Sequence, residues 1–400
     1  MNSVPFIKYT SFGNNFVIVD ETKRPVISES DKSKFAYHAT NTNFGVGCDN
    51  FLVIQKCNSE NLSAIREHRG YWFEIPDPTS AEFIFRMFEP NGEEAYCCGN
   101  GLMCLSDYMY SEHGIGSCGI LTEIPTPNPK AVTIGFDTHS KTAWANMGSP
   151  RKMPEALTDA TLKTPVAGAV EQMSNLSIRF RTHDMSPFTD ATMLSVNGYL
   201  VFTGEPHLVI LTDTGFSISE LSELPFLSAT NNVLSSGRRE HRVNFGTWLV
   251  NKIGTFINAR MSHIFPWGIN INFVRIIQNG SQVIEYRTFE RGINRETYAC
   301  GTGAVAAAYT VRQLGLIDDN PTPVWPFMAR LHDSQARILV EEHHNKWILH
   351  GNPKPLFQGE FLFGVSKIKA DDASGKRVSN AFERFPFQPL SPNVSVSPNN

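Results

Sequence analysis

Residues 84–103, IFRMFEPNGEEAYCCGNGLM, are echoed in the second half of the chain by residues 285–304, EYRTFERGINRETYACGTGA. With one residue inserted between Phe289 and Cys300, the pairs Arg86/Arg287, Phe88/Phe289, Glu89/Glu290, Glu94/Glu296, Tyr96/Tyr298, Cys98/Cys300, Gly99/Gly301 and Gly101/Gly303 align. Two further echoes keep the same order: GNNFVIV from Gly13 with GEPHLVI from Gly204, and NFLVI from Asn50 with NFVRI from Asn272. An ordered repeat of this kind marks a duplicated unit, so two similar domains are expected. Between the echoes lie short β-rich runs bounded by Gly, Asn and Pro, such as Phe16–Asp20, Phe51–Gln55, Phe83–Phe88, Leu208–Thr212 and Ile271–Ile277. Few long amphipathic patterns occur, and the expected class is therefore α+β, mainly antiparallel. The clearest helices are placed after the two cysteines, over Gly101–Tyr110 and Gly303–Leu314, where alanines favour helix.

The whole chain excludes several classes of function. Its 400 residues can bury a core without disulfides or metals. With 35 Lys plus Arg against 39 Asp plus Glu, the net charge is −4, which speaks against nucleic acid or an anionic membrane as partner. No run of 18 apolar residues occurs, and Met1–Lys8 has neither a basic nor an apolar leader region, so a cytoplasmic protein is expected. The 7 Cys do not form a disulfide framework. Pro165–Leu194 and Ser228–Val243 have weak periodicity and are expected as loops or variable extensions, and residues 370–400, rich in Ser, Pro and Asn, as a disordered tail.

A Cys followed by Gly-x-Gly and a helix places a thiol at a helix N-terminus, where free N–H groups and the macrodipole favour an anion. Such settings lower a thiol's pKa, so Cys98 and Cys300 are expected to be partly ionised, and the neighbouring N–H groups to hold a carboxylate. Two such thiols facing each other across one cleft suit a single operation. One removes the proton from a carbon beside a carboxylate and the other returns a proton on the opposite face. The scheme requires no metal or organic cofactor.

The blocks GNNF at Gly13, GVGCDN at Gly45, FEPNG at Phe88 leading to Cys98, GEPH at Gly204, and FERG at Phe289 leading to Cys300 together resemble diaminopimelate epimerase. The resemblance implies two pseudo-symmetric domains, each a mainly antiparallel sheet wrapped around a central helix. The expected division is 1–118 with about 352–366, and 119–351. It also implies a pyridoxal-phosphate-independent racemase or epimerase with Cys98 and Cys300 as its two bases and a small amino-acid substrate, with a homodimer among the expectations. Carried over by position, the substrate site would hold Asn14, Asn50, Glu89, Glu205, Asn270 or Asn272, Glu290 and Arg291, with Gly99, Asn100, Gly301 and Thr302 at the α-carboxylate. The family pattern has Asn at the positions of Glu89 and Glu205, and Gln at that of Asn50. Added carboxylates repel a far carboxylate and attract a cation. A basic amino acid such as histidine, arginine, lysine or ornithine is therefore expected as substrate, with diaminopimelate as the alternative. A proline-racemase-like isomerase, a Cys98–Cys300 redox switch and a non-catalytic amino-acid-binding protein are the other readings.

Simpler roles stand beside these. Cys97 and Cys104 read as packing residues, and Cys97, Cys98, Cys104 and His113 lack zinc-site spacing. Glu94 and Glu296 read as charge at helix entries, Arg291 as an ion-pair partner of Glu290, and His207 as either a domain contact or core filler. Insertions relative to the family are expected at Ser59–Thr79, Pro165–Leu194 and Asp213–Phe265.

Overall fold

The computed structural model describes residues 2–180, 192–226 and 245–364. The expected loop Ser228–Val243 and tail 370–400 lie outside these residues, as does part of Pro165–Leu194. The first half runs β1 (Asn2–Ser11), β2 (Asn14–Glu21), α1 (Lys32–Thr40), β3 (Asn50–Lys56), α2 (Ser59–Arg69), β4 (Phe83–Phe88), β5 (Glu94–Ala95), α3 (Gly99–His113), β6 (Ser117–Thr122), β7 (Lys130–Asp137) and β8 (Thr142–Gly148). The second runs β9 (Lys163–Ala167), β10 (Val170–Arg179), β11 (Met193–Phe202), β12 (Pro206–Leu211), α4 (Phe245–Arg260), β13 (Asn270–Asn279), β14 (Ser281–Glu290), β15 (Arg295–Thr297), α5 (Gly301–Gln313), β16 (Thr322–Pro326), β17 (Ile338–His343) and β18 (Lys346–Gly351). A closing strand, β19 (Lys354–Phe363), returns to pair antiparallel with β1.

Strand pairing repeats the sequence echo element by element. β1 with β2 and β11 with β12 are antiparallel; β2 with β3 and β12 with β13 are parallel. The parallel steps need crossovers, and helices α1 and α4 occupy the two crossover segments. β3 with β4 matches β13 with β14, and parallel β4 with β6 matches β14 with β16. The antiparallel pair β8 and β18 joins the two halves. By this pairing β6 (Ser117–Thr122) is joined to the first half through β4. Pro165–Leu194 is not all loop, because β9 and β10 form there on the edge of β11. The insertions Ser59–Thr79 and Asp213–Phe265 carry helices α2 and α4.

Each half wraps its strands around one helix. Leu102, Met103, Cys104 and Leu105 of α3 and Ala304–Ala308 of α5 belong to a single buried core. Buried in this way, a helix must be apolar or small on all sides, which explains the alanine run. Separate cores lie beneath α1, around Phe35 and Phe51, and beneath α4, around Ile253 and Phe289.

Glu94 and Glu296 turn out to be structural. Each makes a two-pronged ion pair with the Arg that recurs beside it, Arg86 with Glu94 and Arg287 with Glu296, and both arginines are fully buried. The pairs tie β4 to the turn through β5, and β14 to the turn through β15, that lead into the two thiols. Removing one partner of a buried pair leaves an uncompensated charge, which costs about 3–5 kcal/mol. Arg287→Met is expected to lower unfolding free energy by about that amount in denaturant titration; a loss below about 1 kcal/mol would show the pair to be dispensable.

Candidate active site

The two helix starts meet. A Cβ on Gly99 would lie 3.3 Å from the Gly301 Cα, and one on Gly301 would lie 3.0 Å from the Gly99 Cα and the Asn100 nitrogen. Glycine is required on both sides for this approach, and it brings the free N–H groups of α3 and α5 to one place. Cys98 and Cys300 are the N-caps: the Gly101 and Gly303 amides donate to their Sγ atoms at 3.4 Å.

The thiols are nevertheless not ionised in the free protein, contrary to the sequence expectation. Burial pushes both well above their ordinary value, and the nearby Glu290 carboxyl adds to the rise at each. The amide contacts act in the lowering direction and are outweighed. The macrodipole argument is correct in sign but ignores desolvation, which is the larger effect here.

The two thiols have different neighbours. A chain of hydrogen bonds reaches Cys300: the Asn272 Nδ2 amide lies 3.0 Å from His207 Nδ1, His207 Nε2 3.0 Å from Thr302 Oγ1, and Thr302 Oγ1 3.3 Å from Cys300 Sγ. The amide can only donate, so Nδ1 accepts and the ring proton sits on Nε2. Burial pushes His207 down to about 3, keeping the ring neutral. Nε2–H then donates to Thr302, whose own proton is free for Cys300. His207 is therefore neither a domain contact nor simple filler. At the equivalent place on α3, the Asn100 amide donates to Asn14 Oδ1 at 2.8 Å and to the Ala299 carbonyl at 3.1 Å. Tyr286, which the sequence reading passed over, accepts from the Cys300 amide and donates to its carbonyl, both at 3.0 Å.

Strand register equates Asn50 with Asn270: Asn50 opens β3 opposite Phe16, and Asn270 opens β13 opposite His207. The echo that matched Asn50 with Asn272 is thus out by two residues. Around these positions sits an acidic group. Asn50 Nδ2 donates to Glu89 at 2.9 Å, Thr297 donates to Glu290, and Asn270 accepts from the Arg291 amide at 2.9 Å. Arg291 pairs with Glu205 at 2.6 Å, not with its neighbour Glu290. Glu89 and Glu290 are each pushed up to about 7 by burial and by neighbouring carboxylates, Glu205 and Asp49 among them. Of the positions expected from sequence, Gly99, Asn100, Gly301 and Thr302 open the two helices behind Cys98 and Cys300, Asn14 bonds to Asn100, and Glu89, Glu205, Glu290 and Arg291 lie within electrostatic reach of one another.

A cleft of about 910 Å³ opens beside this centre, lined by Asn14, Asp49, Glu89 and Thr297 among others, with neither thiol on its wall. Among the described residues, no group of three or more His, Cys, Asp or Glu is placed to hold a metal ion, and no helix is long and apolar enough to cross a membrane.

Comparison with known proteins agrees with this geometry. No family model matches the chain. It is 28% identical over 324 residues, 80% of this chain and 85% of the relative, to diaminopimelate epimerase of Methanothrix thermoacetophila. It is 26% identical to diaminopimelate epimerase of Archaeoglobus fulgidus over 78% of this chain and 83% of the relative. Among solved structures, a probable proline racemase from Agrobacterium radiobacter superposes with a TM-score of 0.52 at 8% identity, covering 92% of this chain and 94% of that one. A phenazine biosynthesis protein of the PhzF family from Bacillus anthracis gives 0.51 at 14% identity, covering 91% and 100%. The fold is the α+β double-domain fold of these proteins, and the chain is an isomerase of the racemase and epimerase class. Within that class it is a relative of the diaminopimelate epimerases.

The raised thiols give a direct check. Titration of thiolate absorbance, compared with Cys98→Ala and Cys300→Ala proteins, is expected to show no ionisation of either thiol below pH 9, the ordinary value of 9.0 being shifted upward. Thiolate signal at neutral pH from either position would contradict the burial argument.

Proposed function

We propose that the protein inverts the α-carbon of a basic amino acid, such as histidine, arginine, lysine or ornithine, with Cys98 and Cys300 as two bases and without a cofactor. The α-carboxylate lies on the N–H groups of Gly99, Asn100, Gly301 and Thr302, where charge that develops at the carbon is met by both helix starts. Two buried acceptors without a partner, Asn100 Oδ1 and Asn272 Oδ1, suit the α-ammonium group. One thiol first passes its proton to an ionised carboxylate nearby, with Glu290 within electrostatic reach of both; the resulting thiolate takes the α-proton as the bond to carbon breaks, and the opposite thiol delivers its proton to the other face. Thr302 favours Cys300 as the thiolate partner, since its hydroxyl proton is free to donate.

The observation that carries the substrate class is the charge balance at the far side. Glu89, Glu205 and Glu290 influence one another, and Arg291 is already committed to Glu205. Glu89 and Glu290 are raised by burial and by neighbouring carboxylates, which the charge of Arg291 offsets only in part at Glu89, and a cationic substrate supplies further positive charge. A second reading, diaminopimelate, is favoured by the retained Arg291 and by the curated relatives, but its far carboxylate would have to displace Glu205 from that arginine.

The test is α-proton exchange in deuterated water, under reducing conditions, across L- and D-amino acids and diaminopimelate. Inversion of a basic amino acid is expected, falling by at least about 10²-fold in Cys98→Ala and Cys300→Ala. Faster turnover of diaminopimelate than of any basic amino acid would overturn the substrate assignment.

The pH dependence follows from the same carboxyls. A cation binds the ionised form, and Glu89 and Glu290 ionise only as pH rises through about 7. The KM for a basic amino acid is therefore expected to fall as pH rises from 6 to about 8. The free protein should do the reverse. Carboxyls raised above their ordinary 4.5 favour the folded state at low pH, so its melting temperature should drop as pH passes from about 4.5 to about 7.

A further inference from the structure

Strand β14 carries an aromatic ring that the repeat accounts for and a hydroxyl that it does not. Tyr286 stands one residue before Arg287, as Phe85 stands one residue before Arg86 on β4. Register confirms the match: Phe85 lies opposite Ile54 and Tyr286 opposite Val274, four residues beyond Asn50 and Asn270. The tip of the Phe85 ring reaches the start of α3, where a Cβ on Gly101 would lie 3.2 Å from its Cζ. Tyr286 reaches the start of α5 likewise, and there its hydroxyl accepts from the Cys300 amide and donates to the Cys300 carbonyl, both at 3.0 Å. Tyr286 is 1% exposed, so both bonds lie in the core.

These bonds complete a clamp on the chain around Cys300. The Ala299 carbonyl accepts from Asn100 Nδ2 at 3.1 Å, so the Ala299–Cys300 peptide is held at its oxygen by the first half and at its nitrogen by Tyr286. The Cys300 carbonyl also accepts from the Ala304 amide at 2.9 Å, the first bond of α5. Phe85 has no hydroxyl, and the same clamp cannot form at Cys98. The two caps nevertheless share one backbone shape, φ −142° and ψ 115° at Cys98 against φ −123° and ψ 117° at Cys300. The hydroxyl is therefore not what bends the chain into the cap. What it adds is restraint, and the restraint falls on the thiol that is buried, Cys98 being only half-buried.

On the reading of Cys98 and Cys300 as the two bases, we propose that Tyr286 is a positioning residue whose hydroxyl fixes the Cys300 peptide and so keeps that thiol aimed at the α-carbon. Misplacing a reacting group by about 1 Å can cost about 10²-fold in rate. Tyr286 acts through Cys300 and touches no substrate atom. The amides of Gly99, Asn100, Gly301 and Thr302, which hold the α-carboxylate, are not bonded to it. Loss of the hydroxyl therefore lowers turnover and spares affinity.

The experiment compares wild type with Tyr286→Phe, which gives the second half the pattern of the first. It measures kcat and KM for whichever amino acid the wild type inverts fastest, and the inhibition constant of the α-methyl analogue of that amino acid, which has no α-proton to lose. Tyr286→Phe is expected to lower kcat about tenfold or more, with KM and the inhibition constant within about twofold of wild type. A merely structural role would disturb the helix start as a whole, raising KM and the inhibition constant as kcat falls, and would overturn the proposal. An unchanged kcat overturns it as well. So does failure of Tyr286→Phe to fold, seen as loss of a cooperative melting transition, because the hydroxyl would then serve stability. Wild-type protein inactive on every amino acid removes the two-base reading and this inference with it. Wild-type inversion with kcat unmoved in Tyr286→Phe removes this inference alone.

Discussion

The approach of Gly99 to Gly301 is the contact on which the rest of the structure depends. Two helix N-termini repel through their like partial charges, and each carries N–H groups that lack intrahelical partners. Their meeting inside a buried core is stable only when those groups find acceptors. The protein supplies some: the Sγ atoms of Cys98 and Cys300 accept from the Gly101 and Gly303 amides, and the Tyr286 hydroxyl accepts from the Cys300 amide. What remains is an anion-seeking spot flanked by two thiols. The pairing of β8 with β18 and the shared core of α3 and α5 hold the two helix starts in that position.

Burial then sets the resting charge. Burial and neighbouring carboxylates hold the thiols towards their protonated form and raise Glu89 and Glu290 to about 7, while burial and the charge of Arg291 keep His207 neutral. Without substrate the positive charge of Arg291 is taken up by Glu205, and the other acids of the site are held towards their protonated forms. A substrate that brings cationic groups changes the balance for every acid in the cluster at once. On this account, binding helps to make the thiolate, so the reactive form arises chiefly when a substrate is present to use it. The duplication gives a thiol at each helix start, while the Asn272–His207–Thr302 chain on one side and the Asn100–Asn14 contact on the other make the two thiols inequivalent.

Much of this was legible in the sequence because the repeat is a statement about topology. Once Arg86, Phe88, Cys98 and Gly99 align with Arg287, Phe289, Cys300 and Gly301, equivalent strands and helix starts follow, and the structure realises them pair by pair. What escaped has physical reasons. Desolvation of the thiols depends on what packs above them, which local spacing does not contain. The Arg86–Glu94 and Arg287–Glu296 pairs were visible as recurring residues, but their role needs the turn that brings them back onto the strand. The β10 edge was missed because its burial alternates irregularly, with a register shift between Met173 and Leu176.

The central claim is that two different groups act on the two faces of one carbon. It is tested most directly by incubating a single enantiomer of the best substrate in deuterated water and stopping at a few per cent conversion. The isotopic content of both enantiomers is then measured by mass spectrometry after chiral separation. The account requires deuterium at the α-carbon of the product while the remaining substrate stays protonated, because the group facing each enantiomer returns the proton it removed. Equal deuteration of substrate and product at that stage would mean that one group serves both faces, and would contradict the arrangement of Cys98 and Cys300 argued here.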